Sequence, residues 1–123
     1  MGASREPTRV GPSPHLLASK TQYLAVYVYR AYTSTVRFQF DPAKAVNNLK
    51  KHGVSFADAE GVFYDPLAIH QLDPDAEDEE RFVAVGMGNV GTVLVVVYTL
   101  RGDEIRLISA RRATRLEVKD YEG

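Results

Sequence analysis

Three segments run on without a break: Thr92-Val-Leu-Val-Val-Val-Tyr-Thr-Leu100, Arg101-Gly102-Asp103 and Glu104-Ile-Arg-Leu-Ile-Ser-Ala110. The first is β-branched and apolar on both faces, the pattern of a strand in the middle of a sheet. The second is a tight hairpin turn. The third is again a strand, in which Arg106 and Ile108 alternate with Leu107 and Ser109. Arg106 therefore leaves on the face opposite Leu107. Strands joined by so short a connection are antiparallel.

The reading extends in both directions. Upstream, Gly86 to Gly91 is a turn, Arg81 to Val85 a strand, Asp73 to Glu80 an acidic loop, and Leu67 to Leu72 another strand. Further back, Val36, Phe38 and Phe40 alternate with Arg37 and Gln39, the period of a half-buried strand. Asp41-Pro42 then opens a helix: Asp accepts orphan amides and Pro suits the first helical position. Val46 and Leu49 are expected to form its apolar stripe, with Lys44, Asn48 and Lys51 on the opposite face. Gly53 ends it, because Gly enters the left-handed conformation cheaply. Ser55-Phe-Ala-Asp58 is a capping-box variant with Asp58 reaching back. Phe56, Ala59 and Phe63 share one face of a second short helix, which ends at Asp65-Pro66. Downstream, Thr114-Arg-Leu-Glu117 is a further capping box, opening a terminal helix that ends near Tyr121. The order of strand, two helices, about four antiparallel strands and a helix predicts an α+β fold.

The chain has 123 residues, enough for one ordinary domain, with 15 basic and 16 acidic side chains and a net charge of −1. It contains no Cys, which excludes disulfides, Cys-ligated metals and thiol nucleophiles. The longest apolar run, Val93 to Tyr98, is far below the roughly 20 residues of a spanning helix. Residues 1–35 differ from the rest. They hold Pro7, Pro12 and Pro14 and carry +3, from Arg5, Arg9, Lys20 and Arg30 against Glu6. They read as a largely disordered extension, in which Tyr23 to Tyr29 has the β-propensity of an added edge strand. The domain is expected over residues 36–123.

Several motifs are rejected. Gly86-Met-Gly88-Asn-Val-Gly91 matches a dinucleotide fingerprint, but a strand follows it, not a helix whose N-terminus holds a pyrophosphate. Asp73-Pro-Asp75-Ala-Glu77-Asp78 opens like a calcium loop, yet lacks Gly at its sixth position and Glu at its twelfth. His15, His52 and His70 show no ligand spacing, so neither metal nor cofactor is expected.

What remains is segregated charge. Arg101, Arg106, Arg111, Arg112, Arg115 and Lys119 outweigh Asp103, Glu104 and Glu117, a balance of +3. Residues 65–80 carry −7, from Asp65, Asp73, Asp75, Glu77, Asp78, Glu79 and Glu80. Lys50, Lys51 and His52 add a second basic point at the end of the first helix, where cations also complement the helix dipole. Guanidinium forks match phosphate geometry, so a phosphate-binding face is compatible with a neutral molecule.

Together, a set of blocks resembles the BrnT family of type II toxins. They are Phe40-Asp41-Pro42-Ala-Lys44, Asn48-Leu-Lys-Lys-His-Gly-Val-Ser-Phe56, Phe63-Tyr-Asp-Pro66, Glu80-Arg-Phe82, Ile105-Arg-Leu-Ile-Ser-Ala-Arg-Arg-Ala-Thr114, Glu117 and Tyr121. They span nearly the whole of residues 36–123. One departure is Phe40, where the family usually has Trp. Another is the extension before Val36: such proteins begin at about this strand, so the resemblance implies that residues 1–35 are an extension or a mis-called gene start. The resemblance implies a small RelE-like ribonuclease fold and a cytoplasmic toxin that cleaves RNA without metal and inhibits translation. It also implies a BrnA-like antitoxin partner that carries the contact with operator DNA. A homodimer and a two-to-two heterotetramer are both open.

Metal-free RNA cleavage needs a base for the 2′-hydroxyl, cations for the phosphorane charge and an acid for the leaving oxygen. His52 is the candidate base or acid, being of the type that ordinarily titrates near neutrality. Lys51 and Arg106 are expected to bind the scissile phosphate and Arg111 to stabilise the transition state. Glu80 and Tyr121 are secondary candidates for proton transfer. Lys44, Lys50, Arg101, Arg112 and Arg115 are expected RNA contacts. The alternative is a scaffold without turnover that acts through a DNA-binding antitoxin in operon autorepression.

Overall fold

The computed structural model describes residues 36–77 and 80–123. The extension over residues 1–35, with its Tyr23 to Tyr29 stretch, lies outside the described residues. Strand β1 is Arg37–Gln39. Asp41 caps helix α1, Pro42–His52, by accepting the Ala43 N–H at 2.9 Å. Gly53 stops α1 at φ 70°, donating its N–H to Leu49. Ser55 caps the short helix α2, Phe56–Ala59, which runs into a 3-10 turn over Glu60–Tyr64. Strands β2 (Ile69–Leu72), β3 (Phe82–Met87), β4 (Val93–Arg101) and β5 (Glu104–Arg112) follow. Helix α3, Arg115–Glu122, carries the complete Thr114/Glu117 capping box.

The sheet order is β1-β5-β4-β3-β2. The last four strands pair antiparallel, with β4 in the middle, as its valine-rich run predicts. β1 adds a fifth strand, parallel to β5. That pairing is long-range in sequence, so no local turn announces it.

The α+β class stands, with a mixed five-stranded sheet. One sheet face buries Leu94, Val96, Tyr98, Ile105 and Leu107 under Phe56, Val62 and Phe63. β5 also bulges. Tyr98 pairs with Leu107 and Val97 with Ser109, which leaves Ile108 as the additional residue. The bulge moves Ser109 onto the face of Arg106, correcting its expected position beside Leu107.

Two further expectations are overturned. Val46 and Leu49 are about half exposed, at 53% and 51%, whereas Asn48 is buried at 6%. The helix turns its polar Asn inward because β1 pairs only with residues 104–106 of β5. Beyond that point the edge needs another partner. The Asn48 amide supplies it, accepting the Ala110 N–H at 3.1 Å and donating to the Ala110 carbonyl at 2.8 Å and the Val54 carbonyl at 3.0 Å. Buried backbone groups must be paired, and here a side chain does what a strand would. Asp58, in turn, does not reach back to Ser55. Ser55 Oγ accepts the Asp58 N–H, but the Asp58 carboxylate accepts the Val90 N–H in the β3–β4 turn. A Cβ at Gly88 would stand 2.6 Å from Asp58 Oδ1, so the Gly-rich segment is a hairpin turn clamped onto α2.

Candidate nucleic-acid interface

The Asn48–Ala110 bonds lock α1 alongside β5, so their C-terminal ends meet. Lys50, Lys51 and His52 form the last turn of α1. Arg112 ends β5, and its Nη1 lies 3.8 Å from where a Gly53 side chain would begin. Among the described residues, no carboxylate pairs with Lys50, Lys51, His52 or Arg112. Beside this corner opens a cavity of about 220 Å³, lined by Leu49, Gly53, Val54, Leu94 and Arg112 among others, and also by Asp58, whose carboxylate accepts the Val90 N–H. The corner can receive an anion without displacing an internal ion pair.

Arg111 points to the other sheet face and is differently placed. Its two Nη atoms donate to the two Glu117 carboxylate oxygens at 2.9 and 2.8 Å. The hydrogen bonds from Arg111 hold the Glu117 carboxyl well below its ordinary value, at about 2, helped by the Thr114 backbone N–H. Arg111 thus fastens the start of α3 to the end of β5.

Arg106 belongs to a third group. It lies six residues before Arg112, which at strand rise is about 20 Å. Its Nη1 donates to Gln39 Oε1 at 3.0 Å. Gln39 Nε2 donates to Glu104 Oε1, and Glu104 pairs with Arg37 at 3.1 Å.

The structure therefore gathers Lys50, Lys51, His52 and Arg112, and sets Arg106 and Arg111 apart from them. The Tyr121 hydroxyl is buried on α3 and donates to Asp65 Oδ2 at 2.6 Å, tying α3 to the core. Glu80 is exposed beside the acidic loop, and its carbonyl accepts the Thr99 hydroxyl. Lys44, Arg101 and Arg115 are exposed, on the first turn of α1, the end of β4 and the start of α3.

Sequence reasoning missed Gln39, Asn48 and His70. Gln39 alternates outward and gives no sign of its partner without the β1–β5 register. Asn48 had one signal, its position between Ala45 and His52 on a single helix face. His70 is packed against Phe63 and Tyr98, with Nδ1 2.9 Å from the Tyr98 hydroxyl. Burial pushes it down to about 4.

The fold defines a small α+β domain that carries a cationic corner. Comparison with known families gives the particular one. The family model described as the ribonuclease toxin BrnT of type II toxin–antitoxin systems matches residues 40–117. The chain belongs to this family, and so to the ribonuclease toxins whose type II pairing implies an antitoxin. A solved relative is the Brucella abortus ribonuclease toxin BrnT, a crystal structure at 1.1 Å resolution. It is 28% identical, with a TM-score of 0.50, and the match covers 66% of this chain and 100% of that one. Comparison with curated proteins gave no match. No helix among the described residues is long and apolar enough to cross a membrane.

Proposed function

We propose that the protein is a metal-independent endoribonuclease that inhibits translation and growth, neutralised by a BrnA-like antitoxin. The observation that carries this reading is the unpaired cationic corner made by Lys51, His52 and Arg112. The three lie where the last turn of α1 meets the end of β5, and no described carboxylate pairs with them.

The reaction is transfer within the RNA. The 2′-oxygen attacks the adjacent phosphorus, the bond to the 5′-oxygen breaks, and a cyclic phosphate and a free 5′-hydroxyl result. His52 takes the 2′-proton or supplies the proton to the leaving oxygen. Lys51 and Arg112 hold the scissile phosphate and stabilise the charge that develops on it. Arg111, committed to Glu117, supports β5 beside them. Glu80 is the remaining candidate for the second proton.

The test is cleavage of a defined RNA by purified protein, with growth scored in cells that express the chain with and without the neighbouring reading frame. His52→Ala and Arg112→Ala should each lower cleavage about 100- to 1000-fold. Unchanged cleavage and unchanged growth arrest in both variants would remove the proposed site. RNA binding and repression without any cleavage would favour the scaffold reading.

A further inference from the structure

The β1–β5 end of the sheet carries a row of side chains that the corner at His52 does not use. Register places Arg37 beside Glu104 and Gln39 beside Arg106. Along the row run Asp103 and Glu104 paired with Arg37, then Gln39, then Arg106. The amide of Gln39 has one permissible orientation. Its Nε2 faces the Glu104 carboxylate and its Oε1 faces the Arg106 guanidinium. A flip would set donor against donor on one side and oxygen against oxygen on the other. The amide thus holds Arg106 without neutralising it, and Arg37 compensates Glu104 from the far side. Among the described residues no carboxylate reaches Arg106. This contrasts with Arg111, whose fork is filled by Glu117.

We infer that Arg106 is a second phosphate-binding point for a single-stranded RNA backbone, on the sheet face opposite Arg112, and that Gln39 is the positioning residue that orients it and keeps its charge available. This rests on the RNA-directed reading above but needs no cleavage. A glutamate at position 39 would neutralise Arg106 and face Glu104. A methionine would leave the charge and remove the orientation.

The probe is a fluorescent ten-nucleotide 2′-deoxy oligonucleotide, which lacks the attacking hydroxyl and cannot be cleaved. Its affinity is measured against KCl concentration, with urea denaturation confirming that each variant is folded. Each phosphate contact on a single strand contributes about 0.7 to the log–log salt slope. Arg106→Ala should lower the slope by about 0.7, and Gln39→Glu by about the same amount. Gln39→Glu in the Arg106→Ala background should change nothing further, because the two act through one contact. Gln39→Met should keep the slope and weaken binding several-fold.

An unchanged slope in Arg106→Ala, additive effects in the double variant, or no salt-dependent binding by the unaltered protein would each overturn the inference. RNA cleavage by the same proteins separates the two claims. Binding with this signature but no cleavage removes the proposed activity and keeps the second contact. Cleavage with an unaltered slope does the reverse.

Discussion

The amide of Asn48 occupies the place of a missing strand, and its three hydrogen bonds orient α1. Replacing it with Ala leaves the Ala110 N–H and carbonyl unpaired within the protein. Each buried group left without a partner costs about 1–3 kcal/mol. Asn48→Ala should therefore lower the unfolding free energy in urea by at least about 1 kcal/mol, and Asn48→Leu by no less, since it adds bulk without a donor or acceptor.

His70 makes a second prediction at this scale. Its pKa is depressed to about 4 by burial, against an ordinary 6.5. Below pH 6.5 the unfolded chain takes up a proton that the folded chain refuses until near pH 4. Stability from neutral His70 is thus full above pH 6.5 and is lost as pH falls toward 4, by roughly 3 kcal/mol in all. Urea unfolding between pH 4 and 7 checks it. His70→Phe should flatten that dependence, and an unchanged slope would show that another group is responsible.

At the scale of elements, α3 is held at its start by the Thr114/Glu117 box and the Arg111 fork, and near its end by Tyr121 on Asp65. Thr114→Ala removes the oxygen that accepts the Glu117 N–H and should cost about 1 kcal/mol. Because Arg111 shares Glu117, hydrogen exchange in the first turn of α3 should rise more than elsewhere. Exchange raised uniformly over the whole domain would argue against a local fastening. Glu117 also contributes below the His70 range. Its depressed pKa means that stability is present above the ordinary value of 4.5 and is lost as pH falls toward about 2.

For the molecule as a whole, a net charge of −1 conceals segregation. The cations gather along β5 and at the end of α1. Among the described residues, Asp73, Asp75, Glu77 and Glu80 follow β2 at the opposite edge of the sheet. A near-neutral chain can then present local fields of opposite sign at separate places. This is why composition excluded only a uniformly basic binder.

By itself the sequence determined the elements: each cap at Asp41, Ser55 and Thr114, the stop at Gly53, the hairpin at Gly102 and the central place of β4. These rest on interactions between residues close in the chain, or on side chains apolar enough to read on both faces. The cationic residues were legible too, because charge is a property of residue type.

Tertiary structure alone decided which of them stand together. The parallel β1–β5 pairing joins Gln39 to Arg106 across 67 positions. The bulge at Ile108 resets the faces of β5, and Asn48 rotates α1 by reaching Ala110, 62 positions away. The physical reason is that backbone groups at an open sheet edge must find partners wherever the fold brings them. No pattern of neighbours in sequence records that requirement.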